Sequence, residues 1–216
     1  KGIEIVNNKR KAMHRLYDLR KHDPAPISGL DALLANQVFF YDDPVRFTES
    51  VHKICDELEK RIEQGQGVFP KGAPRVLLSG CPMAVPNWKL PWIIESSGAV
   101  IVGEESCVGE RGTRNLTGDS GDSVEALMEA IVDRYVQIDC AVFTPNPDRL
   151  DHVQEMARAG ELTPVALDQI VMKRPKALCP AIDAMPTASD RAGKVRVEQN
   201  SPSEQLRADA GKLLGN

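Results

Sequence analysis

Apolar positions recur with helical spacing through the first third of the chain and then give way to short unbroken runs. Met13, Leu16, Tyr17 and Arg20 line up on a basic first helix that stops near Asp23-Pro24-Ala25-Pro26. Ser28 is the expected N-cap of a short helix carrying Leu30, Leu33, Leu34 and Val38. A third helix starts at Asp43 as cap with Pro44 in its first turn, and aligns Phe47, Val51, Ile54, Leu58 and Ile62. Gly65 and Gly67 end it.

The pattern changes at Pro74. Arg75-Val76-Leu77-Leu78-Ser79 is an apolar run of strand formers, followed by a predicted helix over 88–97 with Gly98 at its C′ position. Ala99-Val100-Ile101-Val102 is a second buried strand, and a loop of glycines and charges runs on through Asp122. A helix over 124–135, a third strand over 140–144 and a helix over 148–159 complete the alternation. Strands alternating with helices of this length imply parallel βαβ units. The expected fold class is therefore α/β: a helical lead segment, residues 1–73, then a small flavodoxin-like parallel sheet with helices on both faces, residues 74–160. Beyond Gly160 the pattern fades. Pro164, Pro175, Pro180, Pro186 and Pro202 interrupt a divergent tail, residues 161–216, in which 165–172 and 204–214 have helical character.

Composition narrows the classes of function. With 42% apolar residues in 216, a real core can be buried. A net charge of −4 gives no basic footprint for nucleic acid, and no apolar run approaches a membrane span. No signal peptide is read at the start. Five widely spaced cysteines, an odd number in a chain too large to need staples, fit a reducing cytoplasm.

The candidate chemistry lies in three of those cysteines. Cys81 follows the first strand in Ser79-Gly80-Cys81-Pro82, Cys107 follows the second in Glu105-Ser106-Cys107-Val108, and Cys140 enters the third in Ile138-Asp139-Cys140-Ala141. Open α/β sheets build their sites outside the carboxyl ends of parallel strands. Soft sulfur ligands gathered there suit an iron–sulfur cluster or zinc. Taken singly, Cys81 reads as a small buried hydrophobe in a tight turn, against a thiolate beside a helix N-terminus. Cys140 reads as core, whereas Cys107, flanked by glycines and charges, reads as a ligand. Arg111 either offsets the charge of a thiolate-bound cluster or substrate, or pairs with Glu104 or Glu110.

Other residues carry less. Cys55 reads as core on the third helix, and Cys179 receives no role. His14, His22, His52 and His152 lack metal-ligand spacing and read as surface residues. Gly109-Glu110-Arg111-Gly112 lacks the phosphate-loop form and is not expected to lead straight into a helix. Ser79-Gly80-Cys81 resembles a nucleophile elbow but has no histidine near a later strand end. Trp88 and Trp92, four apart, are expected to pack on the sheet or on a partner.

Several separate motifs resemble the D-component family of 2-hydroxyacyl-CoA dehydratases over residues 1–159. They are Leu16-Tyr17-Asp18-Leu19-Arg20, Gly80-Cys81-Pro82, Ile94-Glu95, Gly98-Ala99-Val100-Ile101-Val102-Gly103-Glu104-Glu105-Ser106-Cys107, Gly109-Glu110-Arg111-Gly112 and Phe143-Thr144-Pro145-Asn146. Within that family, cysteines at all three positions are most similar to the double-cubane cluster proteins. The resemblance implies an oxygen-labile, anaerobic iron–sulfur oxidoreductase whose [8Fe-9S] cluster is ligated in part by Cys81, Cys107 and Cys140. It implies electron transfer from an ATP-dependent iron–sulfur activator to a small substrate, and a homo- or hetero-oligomer in the cytoplasm. A preceding α/β domain would supply further ligands. Where the family continues with a Gln-Phe-Cys type motif, this chain has Lys176-Ala177-Leu178-Cys179-Pro180. The alternatives are a 2-hydroxyacyl-CoA dehydratase or benzoyl-CoA reductase subunit with a [4Fe-4S] cluster, and a non-catalytic α/β fragment with core cysteines.

Overall fold

The computed structural model describes residues 1–84, 87–118, 121, 123–140, 147–160 and 162. All belong to the first of two units of the chain, Lys1–Val171. Three helices open it, α1 (Gly2–Leu19), α2 (Gly29–Val38) and α3 (Pro44–Glu63). Their starts are capped as the sequence dictates. Ser28 Oγ accepts from the Asp31 N–H at 3.0 Å, and one Asp43 oxygen accepts from the Val45 and Arg46 N–H groups at 3.0 Å each.

Ala12, Met13, Leu16 and Tyr17 of α1 pack with Phe47, Val51, Cys55 and Leu58 of α3. Ile54 is exposed, against expectation, and Cys55 takes its place in the stripe. Both lie within one residue of the helical repeat, and the fully buried thiol seats against α1. A second departure occurs on α2, where Leu34 and Val38 are exposed and Asn36 and Gln37 are buried. The reason is polar. Asn36 accepts from the Tyr17 hydroxyl at 2.7 Å and donates to Glu104 at 3.3 Å, so this face is selected by hydrogen bonding rather than by hydrophobicity.

β1 (Arg75–Ser79), α4 (Lys89–Ser96) and β2 (Val100–Glu105) form a βαβ unit with parallel strands. The register runs from Arg75 opposite Val100 to Ser79 opposite Glu105, with an irregularity where Leu77 meets Gly103 rather than Val102. This extra residue leaves Ile101 and Glu104 on the side of α2, while Val102 and Gly103 lie on the side of Met156. β2 also runs three residues past its expected end, to Glu105. Glu104 and Glu105 are therefore buried strand residues and not loop charges.

Two buried charges knit this unit together. Glu95 on α4 accepts from the Gly29 and Leu30 N–H groups at 2.6 and 3.3 Å, placing a carboxylate on the positive end of α2. Its Oε1 also accepts from the Ile101 N–H at 3.3 Å. Arg75 donates to the carbonyls of Lys21, His22 and Gly160, at 2.7, 3.0 and 2.7 Å.

The remaining described elements are α5 (Glu110–Thr113), α6 (Val124–Val136) and α7 (Pro147–Ala159). The glycine-rich stretch from Gly109 does lead straight into a helix, contrary to the sequence reading. Cys140 is not in a strand, and the rest of the predicted third strand, like the tail helices and Cys179, lies outside the described residues. Trp88 and Trp92 are exposed and do not cover the sheet. No described helix is long and apolar enough to cross a membrane.

Candidate functional site at neighbouring strand ends

β1 ends in a turn that its sequence provides. Gly80 has φ +132, open to glycine, and its N–H donates to the Glu105 carbonyl at 3.3 Å across the pair. Ser79 and Glu105 are register partners, so Cys81 and Cys107 each lie two residues beyond a paired position on neighbouring strands. Both thiols are exposed. Cys81 is therefore not the small buried hydrophobe that it suggests when read alone. Nor does it sit at a helix N-terminus, because α4 begins only at Lys89. After Cys107 the chain folds back on β2 at Gly109, where a Cβ would collide with the backbone of Glu104.

Behind these thiols stands Glu105, with 0% exposure. Its Oε2 accepts from the Ser79 hydroxyl at 2.6 Å and from Arg149 at 3.3 Å. Its Oε1 accepts from Arg111 Nε at 2.7 Å and also pairs with Arg111 Nη2. Burial pushes this carboxyl up, but the bonds from Ser79 and Arg111 more than offset it and hold the group below its ordinary range. The remaining nitrogen of the fork, Arg111 Nη1, lies 3.5 Å from the Cys107 sulfur. Arg111 thus contacts a candidate ligand, and its acid partner is Glu105 rather than Glu104 or Glu110. The sequence alone did not single out Glu105. Its signal is an acidic pair at the end of an apolar run, where β2 must bury whatever it carries.

Cys140 is half-buried and its N–H donates to the Ile138 carbonyl at 2.7 Å. The preceding Asp139 is buried, pairs with Arg114, and lies 3.0 Å from His152 Nδ1, off the direction a hydrogen bond needs. His152 is thus buried, not a surface residue. Burial first, and then the charge of Arg114, lowers its pKa against the pull of Asp139. The structure brings Cys81 and Cys107 to adjacent strand ends. Among the described residues no group of three His, Cys, Asp or Glu side chains converges as a metal cage. The donor chemistry still suits an iron–sulfur group, since two exposed sulfurs share one edge with a guanidinium against one of them. Cys55 does not belong to this set. It is wholly buried, and burial pushes its thiol up to about 11.

On the α7 side of the sheet lies a cavity of about 320 Å³ lined by His14, Tyr17, Lys21, Glu110, Thr113, His152 and Met156 among others. Burial raises the Glu110 pKa to about 7, with the Glu104 charge adding to the rise and Arg20 opposing it. An acid whose folded pKa exceeds its unfolded value of 4.5 keeps a proton that the unfolded chain has lost. Its contribution is complete below pH 4.5 and disappears as pH rises through about 7. Glu110→Gln is accordingly expected to raise the unfolding midpoint above pH 7 and to leave it nearly unchanged below pH 4.5. Thermal melts across that range check this, and an equal effect at both ends would show that folding does not raise the Glu110 pKa.

A parallel α/β unit with two exposed thiols at neighbouring strand ends, backed by a buried acid–guanidinium pair, defines an α/β protein with a candidate site at its strand ends. The chain belongs to the family described as 2-hydroxyglutaryl-CoA dehydratase, D-component, which it matches over residues 1–163. It is 30% identical over 157 residues to YjiM of Escherichia coli K12, provisionally named a dehydratase subunit, with the match spanning 72% of this chain and 39% of that one. The (R)-phenyllactyl-CoA dehydratase beta subunit of Clostridium sporogenes is 27% identical over 159 residues, 73% of this chain and 40% of its own. A benzoyl-CoA reductase polypeptide of Thauera aromatica is 22% identical over 218 residues, 97% of this chain and 54% of its own. The chain thus spans about 39 to 54% of the length of these relatives.

Proposed function

We propose that this chain carries the cluster-binding part of a dehydratase- or reductase-type subunit, with Cys81, Cys107 and Cys140 ligating an iron–sulfur cluster of the double-cubane type. The observation that carries the reading is the placement of two exposed cysteines at adjacent parallel strand ends, one of them 3.5 Å from Arg111. A flavodoxin-like sheet with helices on both faces is part of this reading, with Cys140 as its third ligand. Residues 1–73 then serve as a helical lead, 74–160 as the cluster-binding domain and 161–216 as a divergent tail. The bound cluster would supply low-potential electrons, received from an ATP-dependent activator, to a small substrate. The residues present have separate tasks. The thiols hold the metal edge, Arg111 balances negative charge on the Cys107 side, and Glu105 keeps Arg111 in place. The reading includes a cytoplasmic, oligomeric assembly.

A second reading is favoured by the phenyllactyl-CoA dehydratase relative: a dehydratase subunit with a [4Fe-4S] cluster. The benzoyl-CoA reductase relative extends the same alternative to reductases. Iron and acid-labile sulfide per chain, measured with an absorption spectrum after oxygen-free reconstitution, test both. Near-equal iron and sulfide are expected, and the iron count separates the two cluster types. Colourless protein without iron would leave a non-catalytic α/β piece with ordinary thiols.

A further inference from the structure

We propose that Glu105 is a positioning residue that sets the Arg111 guanidinium against the Cys107 sulfur and thereby raises the midpoint potential of the cluster held there. The inference rests on the cluster reading above. Its ground is the way both carboxylate oxygens are used. Arg111 takes Oε1 through Nε and Nη2, a side-on fork that fixes the plane of the guanidinium and leaves Nη1 directed at the sulfur. Ser79 and Arg149 take Oε2, so the carboxylate is itself held from β1 and from the first turn of α7.

One acid with no exposed surface therefore joins the strand that leads to Cys81, the short helix α5 that follows Cys107 and the helix beyond the Cys140 segment. A long arginine beside a solvent-facing thiol would otherwise extend into water to keep its side-chain entropy. Arg111 does not, and is 5% exposed at its side chain. A donor directed at a sulfur ligand stabilises the more negative, reduced state of a cluster, and this raises its potential.

Glu105→Asp tests the proposal, because it keeps the charge and withdraws the carboxylate by one methylene. Wild type, Glu105→Asp, Arg111→Gln and the double variant would be reconstituted without oxygen. Iron per chain and the midpoint potential from an EPR-monitored titration would then be read. Glu105→Asp is expected to bind iron as wild type does, with its potential shifted negative. Arg111→Gln should shift further in the same direction, and the double variant should match Arg111→Gln alone, because Glu105 acts through Arg111. A normal cluster with unmoved potential in Glu105→Asp, or additive shifts in the double variant, overturns the positioning role and leaves the cluster reading intact. A wild type that takes up no iron overturns both. Should Glu105→Asp fail to fold, Ser79→Ala loosens the same carboxylate from its other oxygen. It should give a smaller negative shift, and an unmoved potential there also overturns the role.

Discussion

Replacing Arg20 with alanine is expected to cost about 3–5 kcal/mol of folding stability, the usual consequence of removing one partner of a buried ion pair. Arg20 is 0% exposed and donates to the two Glu104 oxygens at 2.6 and 2.9 Å and to the Ile101 carbonyl at 2.8 Å. Without it Glu104 keeps, among the described residues, only the Asn36 amide at 3.3 Å, too little for an ionised carboxylate in a dry interior. A small domain has roughly 5–15 kcal/mol in all, so this single change consumes much of the margin. Urea unfolding measures it. The pair itself is a poor net stabiliser, because both ions are desolvated and Arg20 Nε has no partner among the described residues. The double variant Arg20→Met with Glu104→Leu should therefore recover most of the loss. A single-variant loss under about 1 kcal/mol would mean that water reaches the pair.

The second large effect is chemical. Cys107→Ala is expected to reduce bound iron to background after reconstitution, while stability changes by no more than about 0.5 kcal/mol because the side chain is exposed. Cys55→Ala should behave in the opposite way, losing stability from a filled core position and keeping its iron. Paired iron assays and unfolding curves on the two variants decide whether the exposed thiol or the buried one belongs to the site. Full iron in Cys107→Ala would remove Cys107 from the ligand set.

Much of the scaffold was legible because its causes are local. The caps at Ser28 and Asp43, the stop at Gly65 and the turn at Gly98 each depend on a few neighbouring residues, and each lies where the sequence places it. Cys107 is exposed although the charges around it, Glu104, Glu105 and Arg111, are buried, so the charged setting read from the sequence is not the cause of that exposure. What escaped depends on distant partners. Glu104 looks like a loop charge until Arg20, 84 positions earlier, is brought beside it. His152 looks like a surface residue until Asp139 and Arg114 close over it. Asn36 outcompetes Leu34 and Val38 for burial because its hydrogen-bond partners, Tyr17 and Glu104, wait on its side of α2. Periodicity reports where apolar surface can be hidden, and it is silent on polar groups that are buried in exchange for one another.

Arg75 gives the sheet a further property. Its guanidinium draws together the last carbonyls after α1 and the carbonyl that follows α7, across 53 to 85 residues of sequence. Helix ends ordinarily fray, exchanging their amide hydrogens in brief local openings. Here the α7 end at Gly160 cannot peel away without stripping a buried cation of its acceptors, so its opening is tied to that of β1. The end of α7 and β1 should thus exchange as a single cooperative unit.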